Sequence, residues 1–288
     1  MYDEAADRHS NPILDRRMAP ELERLSLNTA TTQRWSVREA AEGCRAAGVG
    51  HIGLWRDTVA EAGLAETARV VRDADLRVSS LCRGGMFPAS TPIERARRLD
   101  DNRRAIDEAA ALGTTVLVLV CGPVADRDIE GARAMVEDGI ARLIPYAADR
   151  GVRLGIEPLH PVFAADRSVV VTLAQANDLV ARLASPQVGV VIDVYHVWWD
   201  PQLYTQIARA AGHILGFHVN DWLVPNKDPL MSRGMMGDGV IELRRIRTAV
   251  DAAGYSGPID VEIFNEAIWR APGREVLDLM RERFLTYV

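Results

Sequence analysis

The sequence predicts an α/β chain folded as a single (β/α)8 TIM barrel, and three observations carry the prediction. Short β-branched apolar runs alternate with stretches of helical periodicity eight times along 288 residues. The runs are almost continuously apolar, as in VLVLV at 116–120 and VGVVI at 188–192, which suits parallel strands covered on both faces. No glycine-rich GxGxxG or GxxxxGKS/T phosphate loop follows any of them, so closure into a barrel is favoured over a dinucleotide-binding doubly wound sheet.

In chain order, the strand Leu25–Asn28 leads to the helix Ser36–Ala47, and Gly48 stands where a left-handed cap ends that helix. His51–Trp55 leads to Gly63–Ala74, and Val78–Cys82 to Ile93–Leu112, which Gly113 closes. Between these two, Cys82-Arg83-Gly84-Gly85 is too short for a phosphate loop and reads as a tight strand exit. Val116–Cys121 leads to Ile129–Arg150 with Gly151 after it, and Arg153–Glu157 leads to Thr172–Leu183. Gly189–Asp193 precedes Pro201–Ala211; Ile214–Val219 precedes Ile241–Ala253, with a Gly237-Asp238-Gly239 turn before that helix and Gly254 after it. Ile259–Ile263 and Arg274–Phe284 complete the set. Residues 1–20 lack this periodicity and are expected to form an N-terminal arm, poorly ordered, with Met18 as an alternative start; the barrel takes 21–288.

Composition narrows the function. With 34 basic and 40 acidic residues the net charge is −6, without the positive field that nucleic acid or an anionic membrane requires. No segment approaches the roughly 18 consecutive apolar residues of a membrane span, and the charged N-terminus lacks the apolar core of a secretory signal. Cys44, Cys82 and Cys121 are widely spaced and form no CxxC pair, which suits a reducing cytoplasm and suggests neither a disulfide framework nor a thiolate zinc site.

In a barrel of this kind the active site collects at the C-terminal ends of the strands. The last four strands end in GIEPLH, VIDVYH, FHVND and DVE, so Glu157, Asp193, His218 and Glu262 arrive at one level. Three carboxylates cannot crowd together without a cation, and a set rich in oxygen donors suits one divalent metal. Mn²⁺ is the first choice, with Mg²⁺, Co²⁺ or Zn²⁺ as the others.

These phrases, with MMGDGVIEL and IDVEIFNE, resemble the strand-end segments of the xylose isomerase-like TIM-barrel superfamily, the sugar phosphate isomerase/epimerase family, from about Leu25 to the end. The resemblance implies that Glu157, Asp193, His218 and Glu262 bind one metal ion and that Glu157 and Glu262 also act as acid and base. A sugar isomerase or epimerase follows: a proton next to a carbonyl is removed, a cis-enediolate forms, and a proton returns to the opposite face or to the neighbouring carbon. It also implies a substrate contact for His196 and for an arginine in the long 222–235 loop, where Arg233 reads either as an oxyanion partner or as a loop anchor. His160 stands where some epimerases have a glutamate and could touch a sugar hydroxyl. Trp55, Trp198, Trp199 and Trp222 fall at or beyond strand ends, where an indole can stack on a sugar or simply pack the rim. Asp221 either orients His218 or caps a turn.

Other readings share these residues. A lyase of the same superfamily would follow proton abstraction with loss of a β-leaving group, dehydrating a keto-sugar or keto-inositol or cleaving an oxidised glycoside; the bulk of the 222–235 loop and the Trp198–Trp199 pair lean that way. A DNA-repair endonuclease would need a histidine-rich metal cluster, whereas only six histidines are present and His9 and His51 lie away from any barrel mouth. Non-catalytic sugar binding would not require a proton-transfer pair beside a metal. The expected partners are therefore a small sugar or sugar derivative and, as barrels often self-associate, copies of the chain in a homo-oligomer; nucleic acid and membrane are not expected.

Overall fold

A computed structural model describes residues 22–288, so the arm expected at 1–20 lies outside the described residues. The strands are β1 Leu25–Asn28, β2 His51–Trp55, β3 Arg77–Gly85, β4 Val116–Val120, β5 Arg153–Ile156, β6 Val188–Asp193, β7 Ile214–Val219, β8 Asp221–Trp222, β9 Arg233–Gly234 and β10 Ile259–Val261. Eight of them close a parallel barrel in the order β1-β10-β7-β6-β5-β4-β3-β2, while β8 and β9 form a short antiparallel ribbon above it. The predicted (β/α)8 barrel is the observed fold.

Local chemistry explains how each unit is punctuated. The first helix, Val37–Ala47, starts in a reciprocal capping box between Ser36 and Glu39. Gly48, Gly113, Gly151 and Gly254 all have positive φ, as expected of residues that end a helix and turn the chain back to a strand. Side chains alternate along β10: Ile259 and Val261 enter the apolar layer between strands and helices, whereas Asp260 and Glu262 turn to His218 on β7. Cys82, Val118 and Val191 form a small separate apolar cluster with Trp55 packed on it.

Three short helices, Arg56–Ala62, Val194–Val197 and Glu266–Arg270, lie in strand-to-helix connections where no helix was expected, because each is too brief to show a periodic pattern. The expected strand exit at Cys82–Gly85 is corrected: β3 continues through it, with a register shift between Cys82 and Gly84. Asn102 explains the continuation, since its side chain accepts from Gly85 N (2.6 Å) and donates to Gly85 O (2.8 Å), tying the strand to the helix Pro92–Ala111. Gly85 has φ 103°, and a Cβ there would overlap the Val120 carbonyl. Gly85→Ala should therefore destabilise the fold by about 1–3 kcal/mol from overpacking, with further cost from the positive φ; urea unfolding checks this.

No helix among the described residues is long and apolar enough to cross a membrane.

Candidate metal centre

Glu157, Asp193, His218 and Glu262 converge at the C-terminal mouth, each buried, and one ligand atom from each lies within 4.8 Å of the others. The backbone sets these positions. Asp193 and His218 are direct partners across β6 and β7, Glu157 N donates to Leu119 O (3.2 Å), and Glu262 N donates to Val219 O (3.2 Å). His218 Nδ1 faces Glu157 Oε1 at 3.2 Å and Glu262 Oε2 at 3.6 Å. Neither His218 ring nitrogen, nor Glu157 Oε1, has a hydrogen-bond partner, although all three atoms are buried. Buried polar atoms left open and pointed together, with oxygen and imidazole donors, fit a divalent cation.

Arg233 is the cation the protein itself supplies. It leaves the ribbon at β9 and buries its guanidinium so that Nη1 donates to Asp193 Oδ2 (2.8 Å) and Glu262 Oε2 (3.0 Å). Its guanidinium carbon lies over the rings of Tyr195 and Phe264, 4.8 and 4.9 Å from their centroids. Both readings of Arg233 thus place it at the site, because the loop it closes is held against the carboxylates.

The four ionisable groups do not share one environment. Burial pushes the Glu157 carboxyl up to about 7, further than nearby His218 pulls it down, with the Glu262 and Asp193 charges adding to the rise. Burial acts the same way on Glu262, yet nearby His218, then Arg233 and Trp55, outweigh it and hold this carboxyl at about 2. Burial also raises Asp193 against the pull of Arg233. For His218 burial opposes the charge, but Glu157 and Glu262 win and raise it well above the usual imidazole range. One glutamate is thus poised to keep a proton and the other to stay ionised.

The expected substrate-binding residues ring this cluster. Trp55 Nε1 donates to Glu262 Oε1 (3.1 Å). His196 is buried; its Nδ1 accepts from His160 N (3.2 Å), and its Nε2 lies 3.2 Å from Arg233 Nη2. Burial, then Arg233, holds His196 well below the usual imidazole range, so it is neutral. The His160 ring stacks on Trp222 at 5.1 Å, and Trp198 lies 5.7 Å from Trp222, so these side chains form one aromatic wall. Trp199 meets His160 edge-on at 5.6 Å.

Asp221 does not orient His218. Its Oδ1 accepts from Trp222 N and Ile241 N and its Oδ2 from Gly237 N, so it is a turn cap that pins both ends of the long loop. Residues the sequence reading missed are Asn220, Tyr195 and Phe264. Asn220 Nδ2 donates to Asp193 Oδ1 (3.0 Å) and Glu262 O (3.1 Å), bridging two strand ends. Its place at the end of β7, one residue before Asp221, was the available signal.

Comparison with known proteins places the chain in a family. Residues 40–283 match the model of the xylose isomerase-like TIM barrel. The chain belongs to that family. Within the xylose isomerase-like TIM barrels, it is 50% identical to protein SMc04130 from Sinorhizobium meliloti 1021, with a TM-score of 0.90 over 92% of this chain and 98% of that one. It is 34% identical over 191 residues to a 3-dehydroshikimate dehydratase of Pseudomonas aeruginosa, covering 62% of this chain and 28% of that protein. The L-ribulose-5-phosphate 3-epimerase UlaE of Salmonella paratyphi A is 24% identical over 202 residues, 68% of each chain. The chain therefore spans little more than a quarter of the dehydratase it matches and about two thirds of the epimerase. A dehydratase and an epimerase are thus among its relatives.

Proposed function

We propose that this protein is a divalent-metal-dependent isomerase or epimerase of a small sugar or sugar derivative, with Glu157 and Glu262 moving the proton beside a carbonyl. The observation that carries the reading is the pair of glutamates flanking His218 Nδ1 at 3.2 and 3.6 Å, held in opposite protonation tendencies. Glu157, Asp193, His218 and Glu262 would hold the ion, Mn²⁺ first and Mg²⁺, Co²⁺ or Zn²⁺ otherwise. When bound there, a divalent cation supplies Lewis acidity that polarises a carbonyl and acidifies the adjacent C–H.

The remaining work falls to the chain. Glu262, kept ionised by Arg233, His218 and Trp55, accepts the proton, and Glu157 returns one to the opposite face or to the neighbouring carbon. A carboxylate that binds through one oxygen retains the other for this exchange. Arg233, held beside neutral His196, presents N–H groups to a developing oxyanion. Trp55, Trp198, Trp222 and His160 form walls that exclude water and accept the carbon face of a sugar.

A second reading, β-elimination, is favoured by the 34% identity to a dehydratase. There the same base removes the α-proton, while Glu157 protonates a departing hydroxyl and water leaves. Incubating metal-loaded protein in D₂O with free, phosphorylated, 3-keto and glycosylated sugars, followed by NMR, separates the two. Deuterium gained at one carbon without loss of a group supports the isomerase, and release of water or an aglycone supports the lyase. We place the enzyme in the cytoplasm as a homo-oligomer, a state that light scattering tests.

Metal binding should depend on pH, because a metal ion must displace the proton that His218 holds in the free protein. The apparent Kd for Mn²⁺ should thus tighten by about tenfold per pH unit as long as that imidazole is protonated. Calorimetry in buffers of different ionisation enthalpy counts the protons released; a Kd flat between pH 5 and 7 would contradict this assignment.

A further inference from the structure

We propose that Asp260 is a positioning residue for the metal centre: it faces His218 Nε2 and holds that imidazole with Nδ1 turned to Glu157, Asp193 and Glu262. The inference rests on the reading of His218 as a metal ligand.

Asp260 is a fourth carboxylate inside the barrel, 3% exposed, where apolar side chains ordinarily fill the layers. It pairs in register with His218 across β10 and β7, and its Oδ2 lies 3.6 Å from His218 Nε2. That nitrogen has no hydrogen-bond partner of its own.

The carboxylate is itself fixed by two serines, one of them backed by a third. Ser79 Oγ donates toward Oδ1 (2.7 Å) and Oδ2 (3.0 Å), Ser80 Oγ approaches Oδ2 at 3.3 Å, and Ser26 Oγ bonds Ser79 Oγ at 3.1 Å. The barrel wall is also cut away to admit it. A Cβ on Gly53 would stand 2.9 Å from Asn28 Nδ2 and 3.1 Å from Asp260 Oδ2, closer than side chains normally pack. Strands β1, β2, β3 and β10 thus all contribute to holding one anion behind the imidazole.

The physical consequence concerns the tautomer. A neutral imidazole that coordinates through Nδ1 carries its proton on Nε2, and a carboxylate facing that N–H selects this form, fixes the ring plane and makes Nδ1 a better donor. Asp221, next but two to His218 in sequence, is engaged by backbone amides instead, which leaves this role to Asp260.

The test is Mn²⁺ titration, followed by electron paramagnetic resonance, on the wild type and on Asp260→Ala, Asp260→Asn, Ser79→Ala and His218→Ala. Unfolding of each metal-free protein is measured alongside. Asp260→Ala should weaken Mn²⁺ binding about 10–100-fold, and Asp260→Asn should weaken it less, since the amide oxygen still accepts. In Zn²⁺-loaded protein, ¹⁵N-histidine NMR should show the His218 proton on Nε2 in the wild type and a shifted Nε2–H signal in both Asp260 variants. A purely structural role would lower the unfolding midpoint and leave both readouts unmoved. Affinities within about threefold of wild type in folded Asp260→Ala would overturn the proposal, and if that variant does not fold, the same result in Asp260→Asn and Ser79→Ala would do so. If His218→Ala binds Mn²⁺ as the wild type does, the ligand assignment fails instead.

Discussion

Glu262→Gln and Glu157→Gln are each expected to lower turnover by about 10²–10⁴-fold, the range a positioned acid or base contributes. The substitutions are isosteric and keep an oxygen available, so the fold should survive and part of the metal affinity with it. Their consequences differ. Gln at 262 removes the charge that Arg233 Nη1 contacts at 3.0 Å and leaves Asp193 as that group's remaining carboxylate partner. Gln at 157 removes a carboxyl that burial already holds near neutrality, so it perturbs the charge balance less and reports more cleanly on proton transfer. Asp193→Asn and His218→Ala should chiefly lose metal. Steady-state kinetics with metal content measured in the same samples decides the matter: turnover within about tenfold of wild type in either Gln variant would remove that glutamate from the mechanism.

Arg233→Ala should produce the largest stability loss of any single change at the site, about 3–5 kcal/mol in the metal-free protein. Asp193 and Glu262 are buried, and taking away the guanidinium removes the cation that contacts both, leaving His218 as the remaining positive charge beside them. Saturating Mn²⁺ should restore much of the loss, because a second source of positive charge then occupies the same neighbourhood. Arg233→Lys should recover little: a point ammonium cannot replace the planar group over the rings of Tyr195 and Phe264. Urea unfolding with and without Mn²⁺ measures each effect. An Arg233→Ala loss that is the same in both conditions would show that the guanidinium stabilises through packing and not through charge.

The eight-unit repeat was legible because each strand is an apolar run and each helix an amphipathic one, so period alone separates them. The strand ends of 157, 193, 218 and 262 were legible for the same reason, since a strand's last inward residue is countable from its pattern. What escaped is what the chain does out of period. Arg233 reaches the carboxylates only because β8 and β9 pair and carry the loop back over the mouth, and a two-residue ribbon has no signature. Asp221 alone was read as orienting His218 or capping a turn; the loop amides occupy it, and Asp260, on the neighbouring strand, was not read as a candidate. Gly84 and Gly85 read as a stop because glycine usually ends a strand, whereas here it lets Asn102 reach the backbone.

The barrel is lopsided in a way that bears on how such a protein acquires new chemistry. All four candidate ligands come from one arc, β5, β6, β7 and β10, while across the mouth Trp55 of β2 reaches a ligand side chain, through Glu262 Oε1. The rim is thus divided between an arc that carries the balanced charges and an arc that supplies none of them. On the proposed function, changes in the loops after β2 to β4 would alter what the mouth admits more than the charges that act on it.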